Sequence, residues 1–561
     1  MKQRELWLRL SLVLISFIFY AGTVWDNHWS PVDDGGDLER MMQLRQRIAH
    51  GQLTFHPTET GLFRPALALW RMGEYALGGT VCGRHHAIHL LVMAVLVQLL
   101  FSIIRRATDS NAAAWLVAAL FTLFSPNVEN WFRLDDPSFY PTFCAVFSLW
   151  CMTRALSMPP DCAGPRRLVF AAAVAVLPLA YFTKETSMAF TGLGFGLFAA
   201  CVMGAGGLLS RRNRALTGAY LAAHLAMAAA WFLLRGIAGI KPISGGDYTS
   251  NYSVSPPLML GTAFKYADIV WNGFQFLAII ALGWFVFRAL RRLKMRQPLD
   301  AVEGWSLVGA CWFGATLTMM LPWKYPLARY LGPGVPGLAM FVGLMLWDAL
   351  RKTGVAPDAG RHHGKNLLRW IVVANLAVLP AITAIRNYHY LIFRHDFDCS
   401  AFQVVETVAQ TAPARARVFM NVPADSVYMF DEMMIFMRLF FGRDDLIQFN
   451  YNRRPHPEPQ SGDYFLVFFR EPATPRSTEM LLPESFHTAA LSQLKDRLKL
   501  TQCFHYERQP LNSYPDAPIF NLVARAGLKL PACLGMNPAH KRALFMREPS
   551  LVEWRVYRFE K

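Results

Sequence analysis

The run LWLRLSLVLISFIFYAGTVW (residues 6–25), followed at 29–47 by WSPVDDGGDLERMMQLRQR, decides how the chain folds. As a helix, a run of that length with Arg9 as its one charge reaches about 30 Å, the thickness of a bilayer's hydrocarbon core. Just past its end the texture reverses, and Asp33, Asp34 and Asp37 stand together around Gly35 and Gly36. Carboxylates at that place are either solvated loop residues or the working end of a site at the membrane surface.

Composition extends the first reading to the whole chain. Of 561 residues 53% are hydrophobic, 13% aromatic and only 17% charged, which excludes a single soluble globular domain. Further apolar runs lie near 86–104, 112–125, 137–156, 167–183, 187–209, 215–238, 267–290, 303–321, 331–350 and 367–386, giving about eleven spans. The expected fold is a polytopic α-helical membrane protein with a soluble C-terminal α/β or α+β domain outside the membrane.

The formal charge of +17 does not point to nucleic acid, because the basic residues alternate with the spans. Lys2, Arg4 and Arg9 open the chain; Arg105 and Arg106, then Arg154, Arg166 and Arg167, then Arg211, Arg212 and Arg214 follow at every second connection. Arg288 to Arg296 and Arg351 to Lys365 continue the pattern. The positive-inside rule makes these connections cytoplasmic, so the N-terminus is inside and the C-terminus outside. A cleaved signal peptide is the alternative reading of the first run, and it too leaves Asp33 outside.

The first outer loop, 26–85, is longer than a connection requires. Leu38, Met41, Leu44 and Ile48 form one apolar stripe, and Ala66 to Leu77 form a second helical stretch, so two amphipathic helices are expected there. The division falls near 390: residues 1–390 as the membrane domain and 391–561 as the soluble one. In the latter, ARVFMNV, DYFLVFF, LTQCFHYERQ and EWRVYRFE read as strands, while FQVVETVAQ and DEMMIFMRLFF read as helices. The 9 cysteines show no metal-ligand spacing; Cys503 with Cys533 is the disulfide to test.

The outer connections carry ionisable groups of both signs. The first has Asp33, Asp34 and Arg64, and the second Glu129, Asp135 and Asp136. The third has Lys184 and Glu185, and the fifth Lys324 and Arg329. Taken singly each reads as a solvated loop end; together they suit a pocket in which carboxylates accept a proton and cations hold a phosphate. A transferase acting on a lipid-phosphate sugar needs both, since the acceptor hydroxyl must lose its proton while the phosphate leaves already charged.

Several motifs also carry a family resemblance. The DD pair after the first span, FRP, HHAIHLLVMAVLVQLLF, ALFTLFSPNVENWFRLDD, LAYFTKETSMAF and, more loosely, ARYLGPGVPG occur in an order that resembles GT-C glycosyltransferases. The branch with membrane O-mannosyltransferases and their bacterial relatives is the most similar. The resemblance covers roughly the first 210 residues well, and the order of the motifs is its specific part. It implies a polyprenyl-phosphate-linked sugar donor and a glycan, lipid or protein acceptor, with Asp33 or Asp34 as the catalytic base, Asp33 slightly preferred. It also implies that Glu129 is the second-loop acid, that Lys184 and Glu185 form a KE element, and that Arg329 lies near the donor phosphate. Arg64 and Lys324 are assigned to the same phosphate, and Asp135 and Asp136 to the substrate side. The chain departs from those relatives in lacking C-terminal tetratricopeptide repeats, which leaves the acceptor open.

No cofactor is firmly implied. Asp33, Asp34, Glu129 and Asp136 are hard oxygen ligands suited to magnesium or manganese, but a monophosphate donor favours a metal-free reaction. His85, His86 and His89 are expected to pack rather than bind metal, and Trp29, Trp131 and Trp323 to anchor at the membrane interface rather than stack on sugar. The rival functions are a polysaccharide polymerase or ligase, a transporter or flippase of a lipid-linked substrate, and a non-catalytic scaffold.

Overall fold

A computed structural model describes residues 2–21, 28–30, 34–51, 64–124, 126, 128–134, 138–159, 161–237, 252–323, 326–353, 363–422, 427–453, 455–471, 484–508 and 550–560. Contacts divide the chain into two compact units. One comprises Met1–Gly22, Thr54–Glu74 and His86–Tyr388; the other comprises Thr23–Leu53, Tyr75–His85 and His389–Lys561. Parts of the first long loop therefore belong to the same unit as the C-terminal residues.

Along the chain the helices are α1 (Lys2–Tyr20), α2 (Asp34–Ala49), α3 (Pro65–Gly78), α4 (Cys82–Thr108), α5 (Asn111–Thr122), α6 (Val128–Phe132) and α7 (Phe139–Ser157). Next come α8 (Ala163–Ala175), α9 (Leu177–Tyr181), α10 (Thr191–Val202), α11 (Arg214–Ile237), α12 (Pro256–Phe274) and α13 (Phe276–Met295). Then follow α14 (Ala301–Met320), α15 (Val335–Thr353), α16 (His363–Thr411), α17 (Val427–Phe441) and α18 (Glu484–Leu494). Both amphipathic helices expected in the first loop are present, as α2 and α3.

A helix stands at each of the eleven apolar runs, but length and apolarity together select fewer spans. Among the described residues five helical stretches are sufficient to cross a bilayer: Cys82–Thr108, Ala163–Tyr181, Glu185–Val202, Arg211–Ile237 and Ala328–Lys352. A sixth is added if the bent pair Pro256–Trp271 and Phe276–Met295 counts as one span. The run 267–290 reads as one straight helix in the sequence; the structure turns it through 107°. The turn falls at Gln275, whose φ of 53° lies in the left-handed region and ends α12. These apolar helices make this a multi-pass membrane unit.

Close helix approach and charge hold the unit together. A Cβ built on Gly309 of α14 would lie 2.5 Å from the Gly337 carbonyl of α15, so small residues at both positions let the two backbones touch. At the N-terminal end of α14, Arg288 reaches Asp300 at 2.8 Å, Glu303 at 2.6 Å and Asp348 at 3.4 Å. Arg292 adds contacts to Asp300 and Glu303, and Lys352 pairs with Asp348 at 2.8 Å. Asp300 and Glu303 also form a reciprocal capping box. Burial alone would raise the Asp300 carboxyl; the Glu303 N–H and the charges of Lys352, Arg288 and Arg292 outweigh it and hold the group below its ordinary value.

The second unit contains a five-stranded sheet with β1 (Arg417–Met420), β2 (Ile447–Asn450), β3 (Tyr464–Glu471), β4 (Leu498–Arg508) and β5 (Ser550–Phe559), in the order β2-β1-β3-β5-β4. β1 pairs in parallel with β2 and β3, whereas β5 runs antiparallel to β3 and β4. The α/β or α+β expectation is met by a mixed sheet. Phe419, Phe465, Val467, Phe469, Leu494 and Phe559 form its core on one face. His487 of α18 is buried, its Nε2 donating to the Phe468 carbonyl at 2.8 Å and its Nδ1 accepting from Asn421 at 2.9 Å. Burial, helped by the charge of Arg555 and opposed by the Phe468 carbonyl, pushes its pKa down to about 4.

Candidate active site

In the membrane unit several of the charged connections meet at short breaks between helices. Lys184 follows the two residues after α9 and precedes a 3-10 helix, Glu185–Phe190; a second 3-10 helix, Ala328–Gly334, precedes α15. Arg64 stands just before α3, and the Ala66 N–H donates to the Phe182 carbonyl at 3.0 Å, which ties the FRP segment to the KE segment. The Arg64 guanidinium then grips Glu185 with two hydrogen bonds, Nε to Oε2 at 2.9 Å and Nη2 to Oε1 at 2.7 Å. Such fork-to-fork geometry fixes direction as well as charge.

Lys184 is only 4% exposed. Its Nζ donates to the Ser138 hydroxyl at 2.6 Å and lies 5.5 Å from the centre of the Tyr330 ring. The Arg329 guanidinium lies 5.4 Å from the same ring, so two cations share one aromatic side chain. Tyr330 is held in turn by the edge of Trp323, and a Cβ on Gly332 would lie 2.8 Å from the Asn130 amide. Residues near Asn130 and Ser138, at 184–185 and at 329–332 therefore form one cluster with Arg64. The charged side chains whose contacts build it are Arg64, Lys184, Arg329 and Glu185.

A second buried polar group in this unit does not follow from the loop motifs. The Glu74 carboxylate accepts from Arg71 at 3.0 Å, is hydrogen-bonded to His89 Nε2 at 3.0 Å, and accepts the Tyr140 hydroxyl. All four side chains are buried, and Tyr140 stacks on Trp70 with ring centres 4.9 Å apart. The spacing of Arg71 and Glu74 on a largely apolar helix was the available signal. His89 is thus held by a carboxylate, and His85 Nε2 bonds the Gly79 carbonyl at 2.9 Å.

In the other unit the acidic turn meets α17. Asp34 begins α2, is 4% exposed, and its Oδ2 accepts the Ser30 N–H at 2.9 Å. Glu432 of α17 accepts the Gly36 N–H at 2.7 Å, one of the donors that a helix start leaves without an intrahelical partner. A Cβ on Gly35 would stand 2.5 Å from Glu432 Oε2 and 2.9 Å from the Phe436 ring. The two glycines of DDGGD are therefore explained by close packing against a helix far away in sequence. An Arg438–Glu39 ion pair and a His28–Phe402 stack with ring centres 4.8 Å apart extend the contact.

Asp33, Lys324, Asp135 and Asp136 lie outside the described residues, as does Cys533; Glu129 is described only as backbone within α6. The tryptophans read as interface anchors are packed inside the protein. Trp29 donates to the Thr80 carbonyl at 3.0 Å, Trp131 lies edge-on to Phe121, and Trp323 sits against Tyr252 and Tyr330. Each is under 7% exposed, because these connections fold back onto the helices instead of extending along a lipid surface. Among the described residues no three His, Cys, Asp or Glu side chains are grouped to hold a metal ion.

No protein-family model matches the sequence, and no curated protein matches it. Solved structures with a similar chain course include the crystal structure of ArnT from Cupriavidus metallidurans bound to undecaprenyl phosphate. It has 15% identity and a TM-score of 0.49, with 88% of this chain and 96% of that one covered. Another is the Archaeoglobus fulgidus oligosaccharyltransferase in complex with Zn and sulfate, at 12% identity and a TM-score of 0.49, covering 98% and 88% of the two chains. A third is the arabinofuranosyltransferase AftD from Mycobacteria, at 14% identity and a TM-score of 0.47, covering 91% of this chain and 38% of that one.

Proposed function

We propose that the chain is a membrane glycosyltransferase that moves a sugar from a polyprenyl-phosphate donor to an acceptor hydroxyl. The reading places the reaction on the outer face of the cytoplasmic membrane, with the N-terminus cytoplasmic and the soluble unit outside. The observation that carries it is the cluster of Lys184, Arg329 and the Arg64–Glu185 pair, drawn from connections that the sequence motifs single out.

In the reaction the acceptor oxygen attacks the anomeric carbon as the bond from that carbon to the phosphate oxygen breaks, and configuration inverts. The polyprenyl phosphate departs with the bonding electron pair, and the acceptor proton passes to a first-loop carboxylate, Asp33 or Asp34. Lys184 and Arg329 neutralise the leaving phosphate, with Lys324 assigned to the same role; Arg64 acts through Glu185, which it orients. Glu129, Asp135 and Asp136 are assigned to the substrate side; were the reaction metal-dependent, Asp33, Asp34 and Glu129 would be the oxygen ligands for magnesium or manganese. Donor tail and membrane lipid would share the apolar surface of the helices, and the acceptor is a glycan, lipid or protein.

The test is transfer from a panel of radiolabelled polyprenyl-phosphate sugars to membrane glycans, lipids and proteins, comparing the wild type with Asp33→Asn and Asp34→Asn at equal expression. Loss in one variant with donor binding retained identifies the base. Undiminished transfer in both removes the proposed base, and no transfer from any donor overturns the function.

A further inference from the structure

The soluble unit holds a cavity of about 270 Å³ at the carboxyl end of β2, the edge strand of the parallel half of the sheet. In open α/β sheets that end is where ligands gather. The volume lies just below the usual range for small-molecule pockets and suits one ring rather than a nucleotide. Phe430 of α17 and Phe449 of β2 supply apolar surface, while Gln448, Asn450, Arg453 and His456 supply polar groups.

The polar groups specify a ligand. Asn450 Oδ1 accepts the Asn452 N–H at 3.0 Å, whereas Nδ2, a buried donor, makes no hydrogen bond among the described residues. His456 Nδ1 bonds the Pro457 carbonyl at 3.1 Å and must donate to it, so in the neutral ring Nε2 is an acceptor. That Nε2 is also buried without a hydrogen bond among the described residues. The Gln448 amide is steered by Asp431, to which it donates. A buried donor and a buried acceptor in the same lining are satisfied together by hydroxyl groups, each of which donates and accepts. Inorganic phosphate at neutral pH presents mainly charged acceptor oxygens, which would face the Nε2 lone pair; an ammonium offers only donors.

We propose that this cavity is a sugar-binding site, taking one pyranose-sized ring with its C–H face on Phe430. Neighbouring hydroxyls bond Asn450 Nδ2 and His456 Nε2, and Arg453 donates to ring substituents. Binding here stands apart from the transfer reaction and needs neither Asp33 nor Lys184.

The experiment uses the full chain in lipid nanodiscs and saturation-transfer NMR with glucose, galactose, mannose and galacturonate as probes, and inorganic phosphate as the comparator. The expected result is saturable binding of at least one sugar. Asn450→Asp keeps the Oδ1 acceptor for Asn452 but replaces the donor, and should weaken that binding about tenfold. Arg453→Ala, at an exposed position, should weaken it severalfold without disturbing the fold. Absence of saturable binding by every sugar, sugar binding unchanged in both variants, or binding of phosphate alone overturns the proposal.

Discussion

Two ion clusters mark the opposite ends of α14, a 20-residue helix about 30 Å long, and they are built differently. At its N-terminal end Arg288, Arg292 and Lys352 face Asp300, Glu303 and Asp348, so cations and carboxylates match one for one and each is in contact with another. Beyond its C-terminal end Arg64 is committed to Glu185, and Lys184 and Arg329 are gathered on Tyr330. A matched cluster closes on itself and pins helices. The other, richer in cations among the contacts described, gathers two of them on one aromatic ring.

The sharpest break in this comparison comes from the cation-rich end. Lys184→Met should lower transfer by about 10²- to 10³-fold, the effect of removing a charge aimed at a leaving group. If a polyprenyl phosphate stabilises the solubilised wild type against heat, the variant should lose that gain; full transfer in the variant would remove Lys184 from the reaction. Glu303→Gln at the matched end should do the reverse. It strips a 1%-exposed carboxylate from two arginines, costs about 3 kcal/mol in denaturation of the solubilised protein, and leaves transfer per folded molecule unchanged. A fall in specific transfer without a loss of stability would show that both ends serve the reaction.

The acidic turn sharpens the comparison further, since it is fixed by packing rather than by charge balance. Gly35→Ala must push Glu432 or Phe436 aside and should cost about 2 kcal/mol, read as faster hydrogen exchange across 34–49. The smallest effect is on pH. His487 has an ordinary pKa of 6.5 and one of about 4 in the fold, so the unfolded chain binds the proton more tightly. Its contribution is complete above pH 6.5 and is lost as pH falls towards 4, amounting to about 1 kcal/mol by pH 5.5. His487→Gln should flatten that part of the pH–stability curve.

Much of this architecture was legible in the sequence because bilayer physics leaves a strong signature. Runs of apolar residues located the helices and, where short, β1 and β3, and period-two patterns located β4 and β5. β2 escaped because four residues, one exposed and three half-buried, show no usable alternation. The 107° turn at Gln275 escaped because Asn272, Gly273 and Gln275, the interruption that marks it, read as part of one apolar run. For the candidate site, residue types and loop order pointed to Arg64, Lys184, Glu185 and Arg329. That Arg64 and Glu185 would bind each other is a matter of distance, which spacing does not contain. Glu74 and Glu432 were passed over for the same reason: each matters through a partner on another element.

The hydrogen bond from Gly36 to Glu432 spans 396 positions of sequence. During synthesis the acidic turn is made among the first residues, yet the carboxylate that caps it emerges only after the membrane helices have been threaded into the bilayer. Until then α2 lacks its cap and its packing partner. The turn's support is therefore completed only by residues that follow the membrane helices in the chain. A protein truncated before α17 would insert into the membrane with its acidic segment unsupported.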